Sequence, residues 1–215
     1  MTKLYFEILD KPRQDVFALL AAFGDSWTLA GGTALALQVG HRKSYDFDLF
    51  SPHPIPRTQY RAVCDIFGQT PVKLVDSNDQ LTVAIAGSVE LTFLYYWFPR
   101  QFPVISTNGI TISDLRDIAA DKAMTLGRRN MWRDYVDLYV VLCQQFLTIA
   151  DLIRIASKKF GNEFSPKLFL QELCFTEDIR DRSLMWVGKR VSDEEVCAYL
   201  EHEATAYAKQ VMKLA

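Results

Sequence analysis

The sequence predicts an α+β protein: a small mixed sheet flanked by helices, followed by a helical C-terminal lobe. Three observations predict it. Up to about Trp97 short β-like runs alternate with helical stretches, whereas from about Ser113 onward apolar residues recur at the helical period. Two of the β-like runs are separated by Gly87-Ser88, a tight-turn signal. The 215 residues, 49% of them apolar, suffice for one globular unit or two closely packed lobes, drawn at residues 1–100 and 101–215.

The elements follow in order. Residues 13–22 (RQDVFALLAA) carry apolar positions at helical spacing, and SWTLA reads as a short strand. GTALALQVG opens as a helix directly from a Gly-Gly turn, SYDFDLFS alternates as a strand does, and RTQYRAVCDIF is helical. VKLVDS, LTVAIA and VELTFLYY read as three further strands. Ser113 is the expected N-cap of a helix running through DIAADKAMTLG. In WRDYVDLYVVLCQQF, Tyr135, Leu138, Tyr139 and Leu142 fall at i, i+3, i+4 and i+7, one apolar face. Two shorter helices are expected at 148–160 and 165–173, the second opened by Ser165-Pro166. The closing stretch SDEEVCAYLEHEATAYAKQVMKLA is acidic at its start and carries lysines near its end, as the helix dipole favours.

Composition narrows the function classes. A net charge of -2 shows none of the basic excess of a non-specific nucleic-acid binder, although a few local cations suffice to hold a nucleotide or an RNA end. The start MTKLYFEILDKPRQ lacks the apolar stretch of a secretory signal, and YVVLCQQF is too short to cross a bilayer. A cytoplasmic location without membrane contact is the expectation. Cys64, Cys143, Cys174 and Cys197 form no CxxC pair, so reduced core cysteines are expected rather than a zinc site.

The chemistry concentrates in LAGGTALALQVGHRKSYDFDLFSP. Asp46 and Asp48 are two apart in a strand, so their carboxylates share one face while Phe47 and Leu49 take the other. Like charges this close repel unless a cation lies between them, and an all-oxygen pair suits Mg²⁺ or Mn²⁺. Two solvated acids on a surface strand are the alternative. Upstream, Gly31-Gly32 stands between an apolar run and a helix, where glycines let the backbone approach a phosphate and the helix N-terminus supplies N–H donors. Thr33 adds a hydroxyl. Thirteen residues lie between Gly32 and Asp46, and the return passes through His41 and Arg42.

This hydrophobic-Gly-Gly turn followed by Asp-x-Asp resembles the signature of the nucleotidyltransferase (polymerase-beta-like) fold. The wording GGTALALQ…GHRKSYDFDLF is more specifically similar to the AbiEii/AbiGii toxin family. A second segment, DLRDIAADKAMTLGRRNMWRDYVDLY, resembles that family's Lys, Arg and Arg-Asp-x-x-Asp-Leu-Tyr pattern, with Lys122, Arg129, Arg133, Asp134 and Asp137 in those places. The resemblance implies that Gly31, Gly32, Thr33, His41, Arg42, Lys122 and Arg129 bind the nucleotide. It further implies that Asp46 and Asp48 hold the metal, that Lys122 neutralises the triphosphate, and that Asp137 or Asp134 completes the site from a helical lobe that closes the cleft. The residues alone leave other readings open: a solvated cationic face for Lys122 and Arg129, and an Arg133–Asp137 surface pair at i, i+4.

Two positions depart from the pattern. A third acid is expected on the VELTFLYY strand, where Thr92 stands; Glu90, two residues earlier on the same face, is the substitute. Asp121 replaces an apolar residue before Lys122 and is expected on Arg129 or in solvent. The function expected is a Mg-dependent transfer of a nucleotide from an NTP to an acceptor hydroxyl, on an RNA end or a protein. By the resemblance this is the toxin of a toxin–antitoxin or phage-defence system, with a cognate antitoxin as partner. The alternative is a degenerate binding protein of the same fold without turnover. The second motif argues against a small-molecule transferase that shares only the first.

Overall fold

Asp10 opens the first helix, α1 (Lys11–Leu19), its carboxylate accepting from the Arg13 N–H, and proline occupies the first turn, where its missing N–H costs nothing. A short 3-10 stretch leads to β1 (Thr28–Ala30), which runs straight into α2 (Gly31–Val39). Gly40, at φ 75°, ends α2 in the left-handed conformation. There follow β2 (Phe47–Ser51), α3 (Gln59–Phe67), β3 (Val72–Asp76), β4 (Gln80–Ile85), β5 (Val89–Tyr95) and β6 (Thr111–Ile112). The helices α4 (Leu115–Thr125), α5 (Trp132–Cys143), α6 (Ile149–Phe160), α7 (Pro166–Cys174) and α8 (Asp193–Leu214) complete the chain. The computed structural model describes residues 3–85, 89–107 and 109–214. The Gly87-Ser88 turn expected from the sequence lies outside them, although Ile85 and Val89 are register partners on either side.

Met1–Leu115 and Arg116–Ala215 form two compact units. The first holds a mixed six-stranded sheet in the order β3-β4-β5-β2-β1-β6. β2 is parallel to β5 and antiparallel to β1, so the strand bearing Asp48 is central and hydrogen-bonded on both sides. Its buried residues Phe47 and Leu49 face one way with Leu91 and Phe93 of β5. Val63 of α3 is buried too, and the Phe93 ring packs edge-on against Trp27 at 4.8 Å and Phe23 at 5.0 Å. Each such side chain contributes about 1.5–3 kcal/mol of burial. The outer strand β3 is exposed along its whole length, and its pairing with β4 shifts register between Lys73 and Val75.

The second unit is helical, as the period-3.6 pattern predicts. Thr148 and Asp151 form a reciprocal capping box at α6, and the Ser165 side chain accepts from the Leu168 N–H at α7. Tyr139 of α5 meets Tyr199 of α8 edge-on at 5.2 Å and donates its hydroxyl to Glu195 at 3.2 Å. Burial first, then Cys143 and Glu195, push the Tyr139 phenol above its ordinary range.

Three expectations are corrected. Ser113 does not cap α4, which begins at Leu115; its N–H instead donates to the Leu29 carbonyl and its own carbonyl accepts from Gln38. β6 was not foreseen, because its pairing with β1 is a contact between residues far apart in sequence. The cysteines are free thiols, but Cys143 and Cys174 are exposed rather than in the core. Among the described residues no helix is long and apolar enough to cross a membrane.

Candidate active site

No loop separates β1 from α2. Ala30 is still extended, and Gly31 begins the helix at φ 63°, a backbone that L side chains rarely adopt. Space imposes the same choice: a Cβ on Gly31 would stand 2.1 Å from Oδ2 of Asp48. The Asp48 carboxylate thus lies directly on the backbone that opens α2. Gly32 is crowded by another group, since its Cβ would stand 2.5 Å from Nη2 of Arg42. Arg42 is buried, and its Nη1 donates to the Lys43 carbonyl at 3.0 Å. No side chain caps α2 at Ala30. A helix start presents N–H donors and the positive dipole end to an anion.

Asp46 immediately precedes β2, and Asp48 is its second residue. Both carboxylates are half-buried and share a face, opposite the buried Phe47 and Leu49. Thr33 and Ser44 fix the approach to this strand. Their hydroxyls meet at 2.7 Å, and Thr33 donates to the Asp46 carbonyl, so Ser44 donates to Thr33. The Thr33 hydroxyl therefore braces the acid strand from within. His41 is buried in the same return segment.

Across the parallel pair Asp48 is the register partner of Thr92, the position where a third acid was expected. The Thr92 hydroxyl lies 3.1 Å from that of Thr82. Glu90 is exposed one pleat back on the same face of β5. The donor set is accordingly two carboxylates with a hydroxyl beside them. Among the described residues no group of three or more His, Cys, Asp or Glu is placed to hold a metal. Two hard oxygen donors beside a helix start suit a Mg²⁺-type ion that completes its shell with phosphate and water.

The residues of the second motif come together in the second unit. Lys122 is buried and pairs with Asp134 at 2.7 Å and Asp137 at 2.6 Å. Arg129 adds two contacts to Asp134, at 2.8 Å and 3.2 Å. Burial disfavours the Asp134 carboxylate, but Lys122 and Arg129 outweigh it and hold the group below its usual range. Lys122 is therefore no part of a solvated cationic face, and Asp137 sits on Lys122 while Arg133 is exposed. Asp121 pairs with the buried Lys159 at 2.6 Å, which also holds Asp117 at 3.0 Å. The sequence reading missed Lys159 altogether; two acids at i, i+4 on α4 were its only signal.

An acid-bearing central strand joined to a glycine-opened helix in a mixed sheet defines the nucleotidyltransferase fold, and solved structures agree. MenT4, a nucleotidyltransferase toxin from Mycobacterium tuberculosis, superimposes with a TM-score of 0.59 at 16% identity, over 90% of this chain and 80% of its own. JHP933 from Helicobacter pylori gives 0.58 at 17% identity, over 98% and 96% of the two chains. Residues 15–86 match the family described as the nucleotidyl transferase AbiEii toxin of the type IV toxin–antitoxin system. An uncharacterized protein of Aquifex aeolicus is 29% identical over 179 residues, 80% of this chain and 85% of the relative. The resemblance read from the sequence is borne out: the segment holding Gly31, Gly32, Asp46 and Asp48 carries the AbiEii nucleotidyltransferase-toxin pattern. That match supports nucleotidyltransferase activity.

Proposed function

We propose that this chain is a Mg²⁺- or Mn²⁺-dependent nucleotidyltransferase that moves a nucleotide from an NTP to an acceptor hydroxyl, on an RNA end or a protein, and acts as the toxin of a toxin–antitoxin or phage-defence pair. The observation that carries it is the seating of the Asp48 carboxylate against Gly31, which joins the acid pair to the start of α2. Phosphates bound at the Gly31-Gly32 N–H groups are then within reach of whatever Asp46 and Asp48 hold. Arg42, buried beside Gly32, adds positive charge there. Asp46 and Asp48 would hold the ion, which when bound lowers the acceptor hydroxyl's pKa and offsets charge on the phosphates. The acceptor oxygen bonds to the α-phosphorus, the bond to the bridging oxygen breaks, and pyrophosphate leaves with that electron pair while the hydroxyl proton passes to solvent. The protein's part is to position and neutralise. The family match implies a cognate antitoxin as partner. A cytoplasmic location fits this reading.

Thr92 favours a second reading, a nucleotide-binding protein of this fold without turnover, because a hydroxyl replaces the acid beside Asp48. One experiment separates them. The protein is incubated with each α-labelled NTP, Mg²⁺ and either total RNA or cell protein, and the products are resolved on gels. Label on RNA or protein that is lost in Asp48→Ala supports transfer. No label with any NTP, alongside calorimetric NTP binding, establishes the second reading instead.

A further inference from the structure

Asp48 is held by the sheet, paired with Ala30 on one side and Thr92 on the other. Asp46 is not. β2 begins at Phe47, where its pairing with β5 also begins, so Asp46 stands just outside the ladder. Two side chains do for it what the ladder does for Asp48. Beyond its α-carbon, the Asp46 carbonyl accepts from the Thr33 hydroxyl. In front of it, the Tyr45 carbonyl accepts from Nε of Arg13 at 2.9 Å. Both peptide planes that flank the Asp46 α-carbon are therefore gripped, and those planes fix the direction in which its side chain leaves the backbone. The tie joins distant parts of the chain, since Arg13 lies on α1, 32 residues from the carbonyl it holds.

Arg13 is itself held. Its Nη1 pairs with the Asp10 carboxylate at 2.5 Å, and the same carboxylate accepts from the Arg13 N–H. Its guanidinium lies over the Tyr45 ring, 4.7 Å from the centroid. The side chain is 13% exposed, so its planar fork is ordered before any ligand arrives. A second tie, from Lys43 Nζ to the Glu7 carbonyl at 2.8 Å, anchors the same segment further upstream. We propose that Arg13 is a positioning residue for the acid pair: it sets where Asp46 points, and so how well the two carboxylates share a divalent ion. The proposal rests on reading Asp46 and Asp48 as that ion's ligands. A group that orients a metal ligand changes affinity through the ligand it holds. Charge gives the effect a diagnostic sign. Acting through its field alone, the Arg13 cation would repel a divalent ion, and its removal would strengthen binding. Acting as a clasp on Asp46, its removal weakens binding.

The test uses the full chain and Mn²⁺ alone, with free Mn²⁺ read by electron paramagnetic resonance. Amide hydrogen exchange of the metal-free protein is followed in parallel by mass spectrometry. Arg13→Met is expected to weaken Mn²⁺ binding about tenfold. It is also expected to speed exchange over residues 43–47 while leaving β4 and β5 as in the parent. Arg13→Lys, which keeps a donor for the Tyr45 carbonyl, is expected to recover most of the affinity. Lys11→Met removes a cation from the same helix but outside the clasp, and is expected to bind Mn²⁺ at least as well as the parent. Asp46→Asn is expected to lose more affinity than Arg13→Met. If Asp46→Asn binds Mn²⁺ as the parent does, the metal reading fails and the proposal with it. If Asp46→Asn loses affinity while Arg13→Met keeps or gains it, the proposal alone is overturned, whatever the exchange shows. Should Arg13→Met melt early, Tyr45→Leu decides in its place. That variant removes the ring beneath the guanidinium and spares α1, so weakened Mn²⁺ binding supports the clasp and unchanged binding overturns it.

Discussion

Gly31 and Asp48 share a space that only one side chain can fill: the carboxylate of the strand residue stands where a β-carbon of the helix residue would project. Gly68 has the same φ of 63° but nothing within 4 Å of its hypothetical Cβ. The pair therefore separates backbone strain from displacement of the acid.

Gly68→Ala is expected to cost about 1–2 kcal/mol, the penalty of a left-handed alanine alone. Gly31→Ala is expected to cost more and to abolish NTP binding, because Asp48 must move off the start of α2. Urea midpoints for both variants, with calorimetry of NTP and Mg²⁺, check this. Equal destabilisation with intact binding would show that the carboxylate's seat is unimportant.

Lys122→Met removes the charge that faces both Asp134 and Asp137 and leaves Arg129 as the cation on Asp134. Uncompensated buried charge of this kind costs about 3–5 kcal/mol. The melting temperature is expected to fall accordingly. Lys122→Met combined with Asp137→Asn is expected to recover part of the loss, since the double variant removes one negative charge from the buried cluster. Should Lys122→Met melt as the parent does, the cluster does not stabilise its unit. NTP affinity measured on the refolded single variant tests the nucleotide role implied for Lys122.

Asp134 titrates lower in the folded chain than in the unfolded one. The unfolded state therefore binds more protons as acid is added. The stabilisation is fully present above the ordinary carboxylate range and is lost as pH falls through the lowered folded value. Stability measured from about pH 5 down to about pH 2 is expected to drop more steeply in the parent than in Asp134→Asn. Parallel profiles would mean that Asp134 makes no such contribution.

Local patterns revealed the acid pair and the helix start, because both are written in short stretches. Asp46 and Asp48 follow from period two, and Gly31-Gly32 from a strand meeting a helix without a loop. What stayed hidden depends on partners distant in sequence. Thr33 was read as a hydroxyl for phosphate, and the fold has it donate to the Asp46 carbonyl and accept from Ser44, partners thirteen and eleven residues away. Asp121 was expected on Arg129 or in solvent, yet Lys159 of another helix takes it.

The outer strand β3 carries a different consequence. Val72, Leu74 and Val75 are exposed on an unpaired edge, a template onto which another chain's strand could add. The register break between Lys73 and Val75 interrupts that ladder after two residues, and Lys73 and Asp76 set opposite charges along it. A flat, continuous edge would recruit copies of itself at the concentrations reached during overproduction; this one presents a kinked and charged rim. Deleting Leu74 would straighten the bulge and lengthen the flat edge, and this variant is expected to self-associate more readily than the parent, as light scattering at matched concentration checks.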